Sequence, residues 1–578
     1  MLFGLAVSAS AQDTGVGLSV SRTGQLCSDG IVSSIELDRK SVFDPESTDV
    51  GALAWSYRAL NALHVRTAPS FIRRELLFQE GDCFDDFLVD ESVRLLDAYG
   101  FLAGARITAE EDGLGGKAVL VETQDEWSTK VDMGITYDAN LNIETLEVTE
   151  ENFLGQGVFA EFEHRQRRET KRQSVALATP RLFGRADARI RYGRDRPGRF
   201  FEEYVRYPFI GETGRYSVRQ GYSQATTFFS YSTDGTEDFS QVLVPQYREV
   251  IEFSAAQRFG ERGRSWVAGM TLTRDIIRFQ DPAEVAYGTD FDDLQPYPGA
   301  LPPDLADQLS EYGASRVALH LGTRRFRYLE YEGIDGMRDR LLVGHGFYAG
   351  ATIGKGFDLF LPSEVPGVDD IFGRVHASFG FPVGSSLFHG GTTVESRRDR
   401  GVWQDLLMDA DVVGYLRNDG LRSHTLFVRA SVAGGWKTTM PFQLSLGGRN
   451  GIRALPEDRF PGGRMTRFTV EDRILFPWPS VGTADLGMSL FADFGRVWQG
   501  DVPYAADSDW QGGVGFGLRV GLPSRTRNIW RMDVAFPVGA TQGSPIFRFT
   551  FEVNRFRAGF FTQDILRSRR NNLGAEHF

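Results

Sequence analysis

Long apolar runs, a basic charge balance and recognisable catalytic motifs are all absent from this sequence. No run of roughly 18 or more apolar residues occurs, so the sequence contains no candidate transmembrane helix. The net charge is −13, which argues against a nucleic-acid-binding protein, because phosphate contacts require a basic surface. The eight histidines never cluster at metal-ligand spacing, and there is no G-x-S-x-G motif. We therefore expect no metal, no cofactor and no enzymatic activity.

Cysteine is also scarce, since the chain contains only Cys27 and Cys83. Cys27 lacks the preceding residues of a lipidation site. The two cysteines either form a disulfide in an oxidising compartment or remain two unpaired small side chains. Their spacing alone does not decide between these alternatives.

The first 11 residues have features of a truncated signal peptide. A short apolar run ends in Ala9-Ser10-Ala11, which resembles an A-x-A cleavage site, but the usual basic residues before the run are missing. Either the sequence starts within a signal peptide or these residues are not a signal; we expect export. Residues 12–30 are polar and are predicted to form a flexible segment.

Residues 31–126 mix helical and strand periodicity and are predicted to form one α+β domain. The predicted elements are a strand over Ile31–Phe43, a helical stretch over Asp49–Leu63, helices over Phe71–Leu77 and Phe87–Tyr99, and strands over Ala105–Glu110 and Ala118–Thr123. An Asp112-Gly113 turn joins the last two strands. The helical stretch is an insertion after the first strand in this β-α-α-β-β order.

From residue 127 to residue 557 the helix signal nearly vanishes and apolar residues alternate with polar ones. In one segment Ala186, Ala188, Ile190 and Tyr192 alternate with charged residues of both signs. The chain has 45 Phe and 65 Gly, as many short strands with tight turns require. Membrane barrel strands need only roughly 9–11 residues, every second one apolar, and a closed barrel leaves no unpaired edge in lipid.

We therefore predict a mainly β protein whose residues 127–557 form a transmembrane antiparallel β-barrel. About 430 residues over 16 strands gives roughly 27 residues per strand and connection, so 16 strands are expected. Counting individual segments gives about 20, which requires either long loop hairpins or a larger barrel. Residues 558–578 form a tail that is either disordered or a periplasmic docking or plugging segment.

One loop and the strands after it carry the clearest candidate site. The loop runs from about Gly447 to Gly463 and carries Arg453 near its middle. Because side chains alternate along a strand, Glu471 and Asp493 fall on the more polar faces of two successive strands. The loop backbone contains several residues suited to tight turns or burial, namely Gly447, Gly448, Gly451, Ile452, Gly462 and Gly463.

Several motifs together resemble the BamA/TamA superfamily of outer-membrane assembly proteins. Residues 74–82, 91–96 and 99–101 resemble those of a POTRA domain, a periplasmic module found in front of such barrels. Residues 451–455 resemble the loop motif of the superfamily, although Ala454 and Leu455 replace its Gly and aromatic residue. Residues 469–473 resemble the next strand, with Asp472 where an aromatic is common, and residues 491–498 match the strand after it. Another small α+β domain remains the alternative for residues 31–126.

The resemblance implies that the loop folds back into the barrel and that Arg453 contacts Glu471 and Asp493 on the inner wall. Ordering a long loop costs conformational entropy, and a charge-assisted contact between Arg and two carboxylates can offset that cost. The alternative is that Arg453 is a solvated loop residue and that Glu471 pairs with Arg467 or Arg473.

The expected location is the bacterial outer membrane, with a POTRA-like domain in the periplasm. The resemblance implies assembly and insertion of outer-membrane proteins or polypeptide translocation. The expected partners are outer-membrane lipid, unfolded β-barrel or secreted polypeptide clients, and periplasmic proteins at the POTRA-like domain, but no nucleic acid. The alternative is a diffusion channel or surface antigen that keeps the scaffold without insertase activity.

Overall fold

The computed structural model describes residues 19–42, 64–113, 115–137, 141–167, 169–279, 282–288, 290–334, 337–417, 420, 423–448, 451–477, 484–522, 524–526, 528–539 and 543–553. The predicted signal peptide over residues 1–11, the helical stretch over residues 49–63 and the tail over residues 558–578 lie outside these residues. Contacts divide the chain into two units, a small one and a large one, and each is considered by itself.

The small unit contains a three-stranded sheet with two helices. Its elements are strands β1 Ser19–Val20, β2 Leu26–Cys27, β3 Ile31–Lys40, β4 Leu102–Glu111 and β5 Gly116–Asp125, and helices α1 Pro69–Glu75 and α2 Asp86–Asp97. Strand β5 lies in the centre of the sheet, parallel to β3 and antiparallel to β4. The sequence thus predicts the order of the described elements, with boundaries that differ by a few residues.

The helices of the small unit bury their apolar stripes against this sheet. Asp85 accepts a hydrogen bond from the Phe87 backbone N–H at 2.9 Å and so caps the start of α2. Phe71 of α1 and Leu96 of α2 are fully buried, together with Val121 of β5. Burial of these side chains is the main stabilising term for the unit, because apolar area removed from water contributes roughly 25 cal/mol per Å².

The two edges of the small sheet differ. The connection between α1 and α2 covers the outer edge of β3, where the Val32 N–H donates to the Asp82 carbonyl at 2.9 Å and the Gly81 N–H donates to the Val32 carbonyl at 2.8 Å. Cys83, in the same connection, forms a disulfide with Cys27, within the segment that the sequence predicts to be flexible. No described strand pairs with the outer edge of β4. Among the described residues, β4 is therefore the open edge of the small sheet.

The large unit is one large antiparallel sheet, which confirms the prediction of a mainly β protein. Its first strands are β6 Thr129–Tyr137, β7 Leu141–Phe153, β8 Val158–Arg167, β9 Thr170–Phe183, β10 Ala186–Arg194, β11 Arg199–Tyr207, β12 Tyr216–Ser232, β13 Gln241–Glu261 and β14 Arg264–Arg278. A side hairpin, β15 Glu284–Tyr287 with β16 Asp290–Pro296, and helix α3 Pro303–Gln308 follow.

The second half of the large unit contains the remaining strands and a short two-stranded ribbon. The strands are β17 Tyr312–Glu332, β18 Arg340–Phe357, β19 Asp370–Val383, β20 Ser386–Asp399, β21 Val402–Leu416, β22 His424–Trp436, β25 Arg464–Leu475, β26 Asp485–Trp498, β27 Gln511–Gly521, β28 Asn528–Val538 and β29 Ile546–Val553. The ribbon consists of β23 Leu444–Ser445 and β24 Pro461–Gly462.

Twenty described strands follow one another in the large sheet, because β14 pairs directly with β17 and leaves the β15–β16 hairpin to one side. This corrects the expected 16 strands and agrees with the segment count of about 20. Two-residue turns, such as the one between Phe183 and Ala186, shorten many connections. The last strand pairs with the first over three residue pairs only, Phe547–Phe549 with Ile135–Tyr137.

The two faces of the large sheet have opposite chemistry. On β14, Trp266, Met270 and Leu272 are exposed, whereas Thr271 and Asp275 are buried. We call the face that carries Asp275, Glu471 and Asp493 the inner face, and the opposite one the outer face. Exposed apolar and buried polar side chains reverse the pattern of a water-soluble sheet, as strands with one face in lipid require.

None of the described helices is long and apolar enough to cross a membrane.

Candidate functional site

The connection between β22 and β25 folds back on itself before it reaches the inner face. Strands β23 and β24 pair antiparallel and form its stem, with Leu444 opposite Gly462 and Ser445 opposite Pro461. At its tip the Ile452 N–H donates to the Leu446 carbonyl at 2.9 Å. These backbone bonds satisfy polar groups that would otherwise be buried without partners.

Glycines permit the close backbone packing of this loop. A side chain on Gly447 would place its Cβ 1.9 Å from the Pro456 carbonyl oxygen, and one on Gly451 would lie 2.0 Å from the Leu446 oxygen. Gly448 has a φ of +96°, which L side chains rarely adopt. At the stem, Cβ atoms on Gly462 and Gly463 would lie 2.7 and 2.8 Å from backbone oxygens of the β26 end. The predicted glycines therefore stand where the fold leaves no space for a side chain.

Arg453 binds two carboxylates of the inner face. Its Nε lies 2.7 Å from Asp493 Oδ2 and its Nη2 lies 3.0 Å from Asp493 Oδ1, so the contact is bidentate. Its Nη1 lies 2.7 Å from Glu471 Oε2. The Arg453 backbone N–H also donates to Asp493 at 3.2 Å, and the guanidinium lies 3.5 Å from the centroid of the Phe491 ring. The planar guanidinium fork suits this arrangement, which a lysine ammonium does not reproduce.

Further arginines surround Glu471. Its Oε1 accepts a hydrogen bond from Arg473 Nε at 3.0 Å, and its Oε2 lies 3.4 Å from Arg531 Nη2. Arg519 Nη1 lies 4.0 Å from the carboxylate. Glu471 and Asp493 are each 2% exposed, so these charges are almost fully desolvated. A buried carboxylate is tolerated only when it is paired in this way.

Apolar packing seats the loop tip beside the charge network. Ile452, Ala454 and Leu455 are buried in one cluster with Phe491 of β26 and Ala535 of β28. The wall is notched at Gly513 of β27, where an added Cβ would lie 2.4 Å from the Ala454 Cβ. The residue at position 454, where the superfamily motif has Gly, thus fits against a glycine on the wall.

The structure brings Arg453, Glu471 and Asp493 together, as the resemblance implies. Arg473, named as an alternative partner of Glu471, contacts Glu471 as well, whereas Arg467 donates to Ser431 Oγ at 2.7 Å. Sequence reasoning missed four members of the site: Arg519, Arg531, Asp533 and Phe491. Their alternation in β26–β28 is visible in the sequence, but their alignment with Glu471 depends on the register between strands.

Two further contacts hold the base of the same loop. Arg459 Nη1 lies 2.7 Å from Asp234 Oδ1, in the turn between β12 and β13. Burial raises the pKa of the Asp234 carboxyl, and the charge of Arg459 acts against that rise. The Gln443 amide accepts from the Ser232 N–H at 2.8 Å and donates to the Ser232 carbonyl at 3.1 Å. The loop is therefore held at its tip and at its base.

No group of three or more potential metal ligands occurs among the described residues. The charged groups of the site are arginines and carboxylates in contact with each other, so ionic contact is the chemistry that it displays.

Comparison with known proteins places the site within a recognised domain. Residues 430–556 match the family model of the Omp85 superfamily domain. This range contains the loop with Arg453 and the strands that carry Glu471 and Asp493. No curated protein matches the chain.

Three solved structures are similar to this chain at low sequence identity. BamA from Haemophilus ducreyi, lacking POTRA domains 1–3, is 13% identical, with 90% of this chain and 84% of that chain covered and a TM-score of 0.36. CdiB from Escherichia coli is 13% identical, with 91% and 78% covered and a TM-score of 0.42. CdiB from Acinetobacter baumannii is 10% identical, with 92% and 75% covered and a TM-score of 0.40.

The domain match agrees with the motifs that first suggested the superfamily, and it includes the whole candidate site. Barrels of this superfamily reside in the outer membrane and act in insertion or transport without enzymatic chemistry. The match thus confirms the predicted resemblance and supports the prediction that the chain is not an enzyme: residues 430–556 of this chain match the Omp85 superfamily domain.

Proposed function

We propose that the large unit is a transmembrane β-barrel of the bacterial outer membrane that inserts β-barrel proteins or passes polypeptides across the membrane. The observation that carries this proposal is the buried contact of Arg453 with Glu471 and Asp493, within the residues that match the Omp85 domain. A loop held by ionic contacts inside a barrel closes the lumen and can be released as a unit. Diffusion through the lumen is therefore gated by the loop.

The outer face of the large sheet is the surface that would meet lipid. Leu319, Leu321 and Ile353 on the neighbouring strands β17 and β18 are each more than half exposed. Contiguous apolar surface of this kind costs free energy in water and is stabilised in hydrocarbon. The inner face, with its paired charges, suits a hydrated lumen.

The small unit would be a periplasmic POTRA-like domain. Its strand order, β3-β5-β4 with β5 in the centre, and its two helices agree with the β-α-α-β-β order expected of such a module. The disulfide between Cys27 and Cys83 suits an oxidising compartment and an exported chain, as residues 1–11 predict. The open edge of β4 is the place where an extended client would add a strand by β-augmentation.

The seam between β29 and β6 would be the second place that receives a client. Three residue pairs join these strands, whereas eight join β28 and β29. Among the described residues, the pairing of β6 with β29 covers Ile135–Tyr137 and stops before Gly134. Unpaired N–H and C=O groups on a strand edge template the addition of another strand. A β-barrel client would form its first hairpins there.

Folding of a client in liposomes tests this proposal. A urea-unfolded client barrel is diluted into liposomes with or without the protein, and its heat-modifiable folded form is followed over time. Accelerated folding supports the insertase function. Conductance without acceleration supports the alternative, a diffusion channel or surface antigen.

Stapling the seam sharpens the same experiment. Ile135→Cys with Phe549→Cys places two thiols opposite each other across the seam. Met133→Cys with Leu146→Cys is the matched control, because it staples β6 to β7 away from the seam. Oxidation of the first pair is expected to abolish client folding, and oxidation of the control pair to leave it unchanged. Equal activity of both oxidised variants contradicts a client site at the seam.

A further inference from the structure

The described residues of the short connection between β17 and β18, 333–334 and 337–339, are buried or half-buried, although the connection joins two strands of the large sheet directly. Ile334 is 1% exposed, Met337 8% and Asp339 2%. The Gly333 N–H donates to the Asp339 carbonyl at 2.7 Å and closes the turn. Connections of this kind normally run over the surface, so burial indicates that the turn is covered by other parts of the sheet.

The turn contacts strands that lie far from it along the sheet. Arg338 Nη2 donates to the Phe476 carbonyl at 3.1 Å, and its Nε lies 3.3 Å from Asp485 Oδ1. Met337 packs over two glycines of the inner face: a Cβ on Gly487 would lie 3.3 Å from its sulfur, and one on Gly521 would lie 3.2 Å from its methyl carbon. Strands β19, β20, β21 and β22 lie between β18 and β25 in the strand order, so the turn spans the interior.

The turn and the Arg453 loop reach the inner face from opposite ends of β25. The Arg453 loop precedes Arg464, the first residue of β25, whereas Phe476 and Asp485 flank the connection after that strand. In an antiparallel sheet, the connections before and after one strand lie at opposite ends of it. The two segments therefore occupy different halves of the interior.

We propose that the turn between β17 and β18 is a second plug of the lumen and that Arg473 couples it to the Arg453 loop. This inference rests on the proposed barrel. Arg473 Nε donates to Glu471 Oε1 at 3.0 Å, and its Nη1 donates to the Ile334 carbonyl at 3.3 Å. The other oxygen of Glu471 accepts from Arg453 at 2.7 Å.

A chain of contacts thus runs from the loop through Glu471 and Arg473 to the turn. Asp493 stands outside it, because its oxygens accept from Arg453 and from Thr469 Oγ1 at 2.9 Å. Both carboxylates hold the loop, but only Glu471 also holds the arginine that binds the turn. This difference makes the coupling testable with two conservative substitutions.

The position of the second plug is tested by the reactivity of Met337→Cys in proteoliposomes towards a charged, water-soluble methanethiosulfonate reagent. The native cysteines are joined in a disulfide and do not compete. The thiol is expected to react slowly. Arg338→Ala is expected to raise its rate by roughly tenfold or more, because the turn loses its ionic anchor. Arg340→Ala is the matched control, since the pair of Arg340 with Glu330 is exposed. An equal response to both alanine variants overturns the plug.

The coupling is tested by comparing Glu471→Gln with Asp493→Asn, with one reporter thiol on each plug. Leu455→Cys reports on the loop and Met337→Cys on the turn. Asp493→Asn is expected to raise labelling of the loop alone, whereas Glu471→Gln is expected to raise labelling of both. Arg473→Gln is the second variant, and it is expected to raise labelling of the turn while the contacts of Arg453 remain.

Two results overturn the coupling. One is a response of the turn to Asp493→Asn that equals its response to Glu471→Gln. The other is a turn whose labelling is unchanged by Arg473→Gln. Heat-modifiable mobility confirms in each case that the labelled protein is folded. Labelling does not depend on client folding, so failure of the second plug and failure of the insertase function are distinguished.

Discussion

Among the arginines that are buried against carboxylates on the inner face of the large sheet, Arg453 and Arg316 lie on different kinds of element. Arg453 belongs to a loop and binds Glu471 and Asp493 on strands. Arg316 belongs to β17 and binds both oxygens of Asp370 on β19 at 2.8 Å, with the Tyr312 hydroxyl 2.6 Å from the same guanidinium nitrogen. Both are contacts of a guanidinium with a carboxylate, although Arg453 uses three nitrogens and Arg316 uses one.

The difference lies in what each contact joins. Both ends of the Arg316 contact lie on the wall, and glycine at position 354 of β18 makes room, since a Cβ there would lie 2.8 Å from Arg316 Cδ. One end of the Arg453 contact lies on a loop, which we propose can leave the inner face as a unit. Loss of the Arg316 contact therefore leaves a buried charge inside a rigid sheet. Loss of the Arg453 contact lets water reach the carboxylates. The Arg316 contact therefore joins two parts of the sheet, whereas the Arg453 contact joins a loop to the sheet.

Arg316→Ala has the largest expected effect on stability. It removes the guanidinium nitrogen that donates to both oxygens of the fully buried Asp370 carboxylate, and such a loss costs about 3–5 kcal/mol. Urea unfolding in detergent micelles, followed by tryptophan fluorescence, measures it. Arg316→Met combined with Asp370→Asn removes both charges and is expected to recover most of the loss. A double variant as unstable as the single one contradicts this account.

Arg453→Ala is expected to cost less stability, about 1–3 kcal/mol, because the freed loop lets the carboxylates hydrate. Its main effect is expected on gating, as a higher open probability in planar bilayers. Arg453→Lys keeps the charge but loses the fork, so it is expected to lie between wild type and alanine. If the conductance and the proteolysis of the loop are both unchanged in Arg453→Ala, the loop does not act as a gate.

Gly513→Ala tests the apolar half of the loop contact. The added methyl group would overlap Ala454, and overpacking of this kind costs about 1–3 kcal/mol or displaces the loop. Ala454→Gly in the same chain is expected to suppress the effect. Suppression would show that the effect comes from direct contact between residues 454 and 513. Protection of the loop from protease is the measurement. If the loop of the double variant is still unprotected, overlap with Ala454 is not the cause of the defect.

Arg459→Ala has the smallest expected effect, although it removes a third arginine contact of the same region. The side chain of Arg459 is half exposed, and pairs of this kind contribute about 0–1 kcal/mol. Urea unfolding and conductance are both expected to stay near the wild-type values. A loss as large as that of Arg453→Ala would mean that the base of the loop, rather than its tip, holds it.

The sequence was sufficient to predict the central residues of the candidate site, but not how many further residues belong to it. The loop glycines, Arg453 and the parity of Glu471 and Asp493 were all visible in the chain. Arg473 was predicted only as an alternative partner of Glu471, and Arg531 was not recognised as part of the site. Their roles depend on the register between strands, and a shift of one residue reverses the face of every side chain.

Prediction of the fold from the sequence had similar limits. The alternation in β10, with Ile190 and Tyr192 exposed, was predicted from the sequence. The number of strands was not, because the length of a connection does not show whether it is a surface loop or a further hairpin. The buried turn at Ile334 had no signal in the sequence, since its partners lie about 140 residues away.

The loop around Arg453 shows where local information ends. Alternation, turn residues and the arginine follow from the sequence, because they depend on backbone geometry and on the period of a strand. Tertiary structure alone decided that Arg453 meets two carboxylates rather than water, and that one of these, Glu471, leads through Arg473 to a second buried segment. Such contacts join strands that are far apart in sequence, and their register is set only when the whole sheet has formed.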